Sequence, residues 1–265
     1  MPRKMSPTRQ FKPATGDAMD SNIVSFPQLG LECGSCRSKK LCPIGALETA
    51  DRAEIAKYVA CALPARRGQH LFRQGDVLES FFIVRTGSVK TYLDSEDGCE
   101  QAVGFHFPGD LLGCDAMGAG RYPTSVVALE SLTYCAIPYG RMQLLAARAP
   151  QFWQRIVRAA SNELIEAQNH TLLLGQKSAP ARLAKFLLDL SARFGARGFS
   201  RTEFNLSMSR QELANYLAVA VETMSRLFAE LQRRQVIAVD RRLVTIRSLP
   251  ALYEMAAEGR PLQVA

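Results

Sequence analysis

The chain has 265 residues, 47% hydrophobic and 22% charged, with a formal net charge of +8. That length suits one large domain or two ordinary ones, and the composition excludes a disordered chain. No apolar run approaches the ~20 residues that span a bilayer, and the basic start MPRKMSPTRQFKPATGDAMD lacks the apolar centre of a secretory signal. The expectation is a cytoplasmic protein with no membrane partner and a flexible tail over residues 1–30.

Three cysteines follow that tail as Cys33-x2-Cys36-x5-Cys42. Soft thiolates at this spacing converge on one inorganic centre and select iron–sulfur clusters, zinc or Cu(I). The other cysteines are Cys61, Cys99, Cys114 and Cys135; an odd total without an export signal argues for reduced thiols. Spacing alone leaves the choice between cluster and zinc open, although His70, His106 and His170 show no ligand spacing. A four-iron cluster asks for a fourth thiolate, and spacing does not choose between Cys135 and Cys114. Cys61, in an apolar helix-to-strand passage, and Cys99, after a turn, read as bystanders.

Glu48–Ala60 has amphipathic helical spacing. From about Gln69 short apolar runs alternate with turn signals at Gly75-Asp76, Arg85-Thr86-Gly87, Asp97-Gly98 and Pro108-Gly109-Asp110, which predicts consecutive hairpins closing into an antiparallel roll. Residues 31–149 thus read as a cysteine segment plus a β-roll sensor domain. A long helix opens at Pro150 and fills 150–176. Steps of four and three along it place Val157, Ala160, Leu164, Ala167, Thr171 and Leu174 on an uncharged seam, the pattern of a two-stranded coiled coil. The alternative is a stripe buried on its own domain.

Residues 177–250 carry a second helix, Ser178–Phe194, stopped by Gly195, and then two short helices. Ser209 and Glu212 form a capping box for the first, which ends near Leu217, and the second opens near Val221. VIAVDRRLVTI makes a hairpin wing, and residues 251–265 are read as a C-terminal tail. Between Gln176 and Pro250 stand 13 Lys/Arg against six Asp/Glu, nearly the whole net charge of the chain. A winged helix-turn-helix with that charge points to double-stranded DNA. At its recognition helix Glu222, Ser225 and Arg226 form a contact set: Arg reads guanine O6 and N7, and Glu accepts from cytosine N4. The competing reading is an i,i+4 surface pair between Glu222 and Arg226.

This order resembles the FNR branch of the CRP/FNR transcription regulators. The resemblance runs from Cys33 to the wing and is carried by C-x2-C-x5-C, FHFPGDLLGCDAMGAG, ARLAKFLLDLSARF and NYLAVAVETMSRL. It implies an α+β fold: a cyclic-nucleotide-binding-like antiparallel β-roll, a long dimerisation helix and a C-terminal winged helix-turn-helix. It further implies a homodimer on palindromic TTGAT-type sites, and a 4Fe–4S cluster with Cys135 as fourth ligand beside Cys33, Cys36 and Cys42. Oxygen attack on that cluster would weaken pairing and DNA binding. The hairpin carrying Glu96, Asp97 and Gly98 matches the loop with which the family contacts RNA polymerase, although an acidic turn is also simply a solvated turn.

The chain departs from the wider family in two places. Pro123 stands where cyclic-nucleotide domains carry a phosphate-binding arginine, and no glutamate follows Gly113, so no cyclic nucleotide is expected. Ala167 stands where the branch usually has an aspartate that opposes pairing. No catalytic triad, phosphate loop or carboxylate pair emerges, so no enzyme is expected. A regulator of the same fold sensing through zinc or thiol redox is the alternative.

Overall fold

The computed structural model describes residues 33, 36–45, 47–95 and 97–258. The expected tail over 1–30 lies outside them. The first helix, α1 (Thr49–Ala56), is shorter than its periodicity suggests, because the chain turns into a strand at Ala60. Eight strands then build the roll: β1 (Ala60–Ala65), β2 (His70–Phe72), β3 (Ser80–Thr86), β4 (Val89–Asp94), β5 (Glu100–His106), β6 (Leu111–Leu112), β7 (Ser125–Ala128) and β8 (Leu132–Pro138). They form two four-stranded sheets, β1-β8-β3-β6 and β2-β7-β4-β5, paired antiparallel wherever strands meet. β1 is edge to β8, and that pairing overrides the helical spacing of its short apolar run.

The inner faces meet in a core that includes Phe81, Ile83, Val84, Leu112 and Ile137. A short helix, α2 (Met142–Arg148), leads to the long α3 (Pro150–Gln176), which has Pro150 in its first turn. Phe152 and Ile156 anchor α3 in the roll core, together with Ile44 and Leu47 from the cysteine segment. Its opposite face is bare: Val157 is 47% and Leu164 61% exposed, and Ile165 and Leu172 are exposed beside them.

The chain is extended at Lys177 and re-enters helix as α4 (Ala179–Ala196), capped by Ser178. α4 runs through Gly195 instead of stopping there. A Cβ at that position would meet the Arg201 side chain at 2.6 Å, so this glycine serves packing. β9 (Glu203–Asn205), α5 (Arg210–Tyr216), α6 (Val221–Arg233), β10 (Ile237–Asp240) and β11 (Leu243–Ile246) complete the second unit, with sheet order β10-β11-β9. The capping box at Ser209 and Glu212 is present.

The segment read as a C-terminal tail is instead a helix, α7 (Leu249–Ala257). Ser248 caps it, Pro250 lies in its first turn, and Leu252 and Met255 are buried in the core shared with α4. Burial of those two side chains holds the segment in place, and the Ser-x-Pro start was a readable signal for it. Residues 259–265 lie outside the described part. Among the described residues no helix is long and apolar enough to cross a membrane.

Candidate thiol centre and DNA interface

Residues 36–45 form a run of tight turns that folds the cysteine segment against β3. The amide of Cys42 donates to the Ser38 carbonyl at 2.9 Å, and the Ser38 hydroxyl donates to the Arg85 carbonyl at 3.3 Å. Gly45 is required by close approach: a Cβ there would lie 2.5 Å from Lys39 Cα. This loop, with β1, β3 and β8, encloses a small cavity lined by Cys33, Cys36, Cys42, Cys61 and Cys135 and by apolar Ile44, Ile83 and Val84.

The structure therefore brings Cys135 to the amino-terminal triplet and keeps Cys114 away. Cys114 is buried in the roll core, where burial pushes its thiol up to about 12. Cys99 is exposed. Cys61, read from sequence as a bystander, lines the same cavity as the other four thiols. It sits at a bulge of β1 between Ala60 and Leu63, facing the stretch of β8 that holds Cys135, and its Sγ is 3.9 Å from Cys33 Sγ. No local pattern announces that neighbour, since only strand pairing creates it.

The thiols differ in environment. The hydrogen bond with Cys61 draws Cys33 down to about 7, assisted by the cations Arg85 and Arg52 and opposed by burial. Burial pushes Cys42 up to about 11, and the hydrogen bonds with Cys135 and Cys33 push Cys61 upward. Four sulfurs beside two cations and apolar walls suit an iron–sulfur cluster as a donor set. Among the described residues no three Cys, His, Asp or Glu side chains stand at the spacing of a single bound metal ion.

From this loop two contact routes lead onward. Leu41 and Pro43 line a hollow with Arg155, Arg158 and Glu163 of α3. Gly109, at φ +99°, lies against Leu41 so closely that a Cβ would approach its Cβ to 2.7 Å. The next residue, Asp110, receives Arg193 on one oxygen and Arg197 on the other, both at 2.5 Å. Arg37 places its guanidinium 4.9 Å from the Phe199 ring, so the loop also touches the second unit directly.

The DNA-reading part is an ordinary helix-turn-helix, with Ala218 at φ 51° in its turn. Met224, Phe228 and Leu231 bury one face of α6, which leaves Glu222, Ser225 and Arg226 exposed together on the other. Ser225 returns its hydroxyl to the Val221 carbonyl at 3.1 Å. Among the described residues no Glu222–Arg226 ion pair forms, so both side chains stay available.

Behind this surface, buried Arg182 donates to the carbonyls of Leu174, Lys177, Leu217 and Ala218 at 2.7–3.3 Å. It ties the end of α3 to the helix-turn-helix turn. Asn215 of α5 docks on β5, accepting from the Ala102 amide at 2.5 Å and donating to the Glu100 carbonyl at 2.7 Å. His170 of α3 stacks on Tyr216 of α5 with ring centroids 4.1 Å apart. Of the residues assigned to a polymerase contact, Asp97 and Gly98 are exposed in the β4–β5 turn, while Glu96 lies outside the described residues.

Known proteins match this architecture. A model of the cyclic nucleotide-binding domain matches residues 63–149, and one of the Crp-like helix-turn-helix domain matches residues 181–255. The transcriptional activator protein Anr of Pseudomonas protegens is 42% identical over 81% of this chain and 88% of its own length. The fumarate and nitrate reduction regulatory protein (FNR) of Escherichia coli K12 is 38% identical over 87% of this chain and 92% of its own. The chain belongs to the FNR branch of the CRP/FNR family. It is a DNA-binding transcription regulator and not an enzyme. Dimerisation accompanies that membership. Among solved structures, FixK2 from Bradyrhizobium japonicum superposes with a TM-score of 0.67 at 25% identity, covering 74% of this chain and 96% of its own. The fold is the α+β arrangement expected from sequence, with β-roll, long helix and winged helix-turn-helix.

Proposed function

We propose that this FNR-branch regulator is oxygen-responsive. Its pairing and DNA binding follow the state of a 4Fe–4S cluster held by Cys33, Cys36, Cys42 and Cys135. The observation that carries this reading is the convergence of those four thiols, three from one loop and one from a distant strand, on one apolar cavity. When bound, the cluster supplies an oxygen-labile joint among thiolates.

The protein's own residues give that joint its reach. A loop held at Cys33, Cys36 and Cys42 rests on Gly109 and beside Arg155 and Arg158, so its position is felt by the roll turn and by α3 together. The row on α3 with Val157, Ala160, Leu164, Ala167, Thr171 and Leu174, of which Ala160 and Leu174 are partly buried, is the face that pairs with a second copy. Pairing sets two α6 helices one DNA turn apart on a palindromic TTGAT-type site, with Glu222, Ser225 and Arg226 at the base edges. Glu96, Asp97 and Gly98 are the candidate contact with RNA polymerase, in the cytoplasm.

The roll itself holds no cyclic nucleotide in this reading. Beside Pro123, Thr124 and Ser125 donate to the carboxylates of Asp115 and Asp94, and Arg121 donates to the Gly75 carbonyl.

Anaerobic purification followed by visible absorption and iron and sulfide analysis tests the proposal. A brown protein is expected. Cys135→Ser loses its colour and iron, while Cys114→Ser keeps both. A colourless protein with stoichiometric zinc overturns the reading, and loss of iron in Cys114→Ser with retention in Cys135→Ser overturns the ligand assignment.

A further inference from the structure

Five thiols line the cavity and four are assigned to the cluster, which leaves Cys61 over. Its place is well defined. It lies at a bulge of β1, between Ala60 and Leu63, which both pair with β8; its Sγ is 3.9 Å from Cys33 Sγ, and it also hydrogen-bonds with Cys135. Cys33 belongs instead to the ligand loop, in a short turn outside the sheet. A disulfide needs about 2.05 Å between sulfurs, so the pair is short of bonding by roughly 2 Å. A shift of the loop supplies that without disturbing the strands.

We propose that Cys61 is the resolving thiol of this centre: when the ligand set is emptied, Cys33 and Cys61 close to a disulfide at the expense of a peroxide. The Cys33 thiol gives up its proton, its sulfur attacks a peroxide oxygen, and the O–O bond breaks; the departing hydroxide takes that proton, leaving a sulfenic acid and one water. The Cys61 sulfur then attacks that sulfur, the S–S bond forms, and the S–O bond breaks. The departing hydroxide takes the Cys61 proton as a second water. Two thiols and one peroxide become one disulfide and two waters. The bond would withhold Cys33 from the ligand set until a thiol reductant restores it. The loop would then carry a reversible record of oxidation after the cluster is gone. This rests on the reading of Cys33 as a ligand and Cys61 as none.

The test uses the full chain, stripped of iron by a chelator under anaerobic reducing conditions, desalted, and treated with one equivalent of hydrogen peroxide. Alkylation, digestion and non-reducing mass spectrometry then locate the cross-links. A Cys33–Cys61 peptide is expected as the dominant product, abolished by dithiothreitol and absent from Cys61→Ser. Cys61→Ser purified anaerobically is expected to hold as much iron and sulfide as the unaltered protein. Full alkylation of Cys61 in peroxide-treated protein overturns the proposal, as does a dominant Cys61–Cys135 peptide. Loss of iron from a soluble Cys61→Ser makes Cys61 a ligand and overturns it too. An iron-free, colourless unaltered protein would instead refute the cluster, and the cross-link in the emptied site would still decide the role of Cys61.

Discussion

Single residues in this protein take their character from what surrounds them. Arg226 is exposed on α6 without an acidic partner among the described residues, so its guanidinium is available for a bidentate contact with guanine. Arg226→Ala is expected to cost about 1–3 kcal/mol on a TTGAT-type site and to relax preference at one base position. The salt dependence should change little. Binding titrations on specific and substituted duplexes at several salt concentrations measure this, and an equal loss on all sequences would assign Arg226 to a phosphate.

Glu163 shows a different dependence on context. Burial, with Asp115, Glu166 and Asp110 nearby, pushes its carboxyl up to about 7, even though Arg155, Arg158 and Arg193 line the same hollow. A carboxyl raised in the folded state binds more protons there than in the unfolded chain. Its contribution is full below its unfolded value of about 4.5 and is lost as pH rises through 7. Glu163→Gln should therefore flatten the decline in stability between pH 5 and 8 and be the more stable protein at pH 8, by roughly 1–3 kcal/mol. Denaturant unfolding at fixed protein concentration across that range checks it; an unchanged slope would refute it.

At the scale of elements, α3 is the helix through which we propose that the protein pairs. Phe152 and Ile156 fasten its first turns to the roll; farther along its apolar row, Val157, Leu164, Ala167 and Thr171 are exposed, while Ala160 packs partly on the roll core and Leu174 is half-buried. Ala167 lies in that row, exposed, with its carbonyl accepting from Thr171 Oγ1 at 3.0 Å. An apolar residue there brings no like charges together across a two-fold axis, so the cluster-free protein should pair more tightly than is usual for the branch. Ala167→Asp is expected to weaken the dimer by about 1–2 kcal/mol, roughly tenfold in its dissociation constant. Sedimentation of oxygen-exposed protein is the measurement. A clean monomer at micromolar concentration before substitution, or no change after it, would contradict the argument. The exposed apolar residues of α3 were legible because a helical pattern is local in sequence. β1 was not, because six apolar and small residues acquire strand geometry only through β8.

Across the whole molecule, the two units are joined at more places than the α3–α4 connection. Asp110 of the roll is held by Arg193 of α4 and by Arg197 directly after it, and Arg197 keeps only 8% of its side chain exposed. Asn215 docks on β5, and Arg182 ties the end of α3 to the helix-turn-helix turn. Removing the Asp110 carboxylate strands a nearly buried guanidinium, so Asp110→Ala should cost about 2–4 kcal/mol. It should also raise hydrogen exchange at both the Pro108–Asp110 turn and the end of α4. Exchange confined to the turn would show that the clamp does not couple the units.

The cysteine triplet, the long helix, the capping box and the basic helix-turn-helix could all be read in the chain itself, because each rests on residues a few positions apart. Family resemblance added Cys135. What only the tertiary structure decided is the company those residues keep. It set Cys61 inside the thiol centre and Cys114 outside it, turned the last segment into α7, and laid the ligand loop on the turn that α4 clamps. Those outcomes depend on strand register and on which faces are buried together, and no short window of sequence contains either.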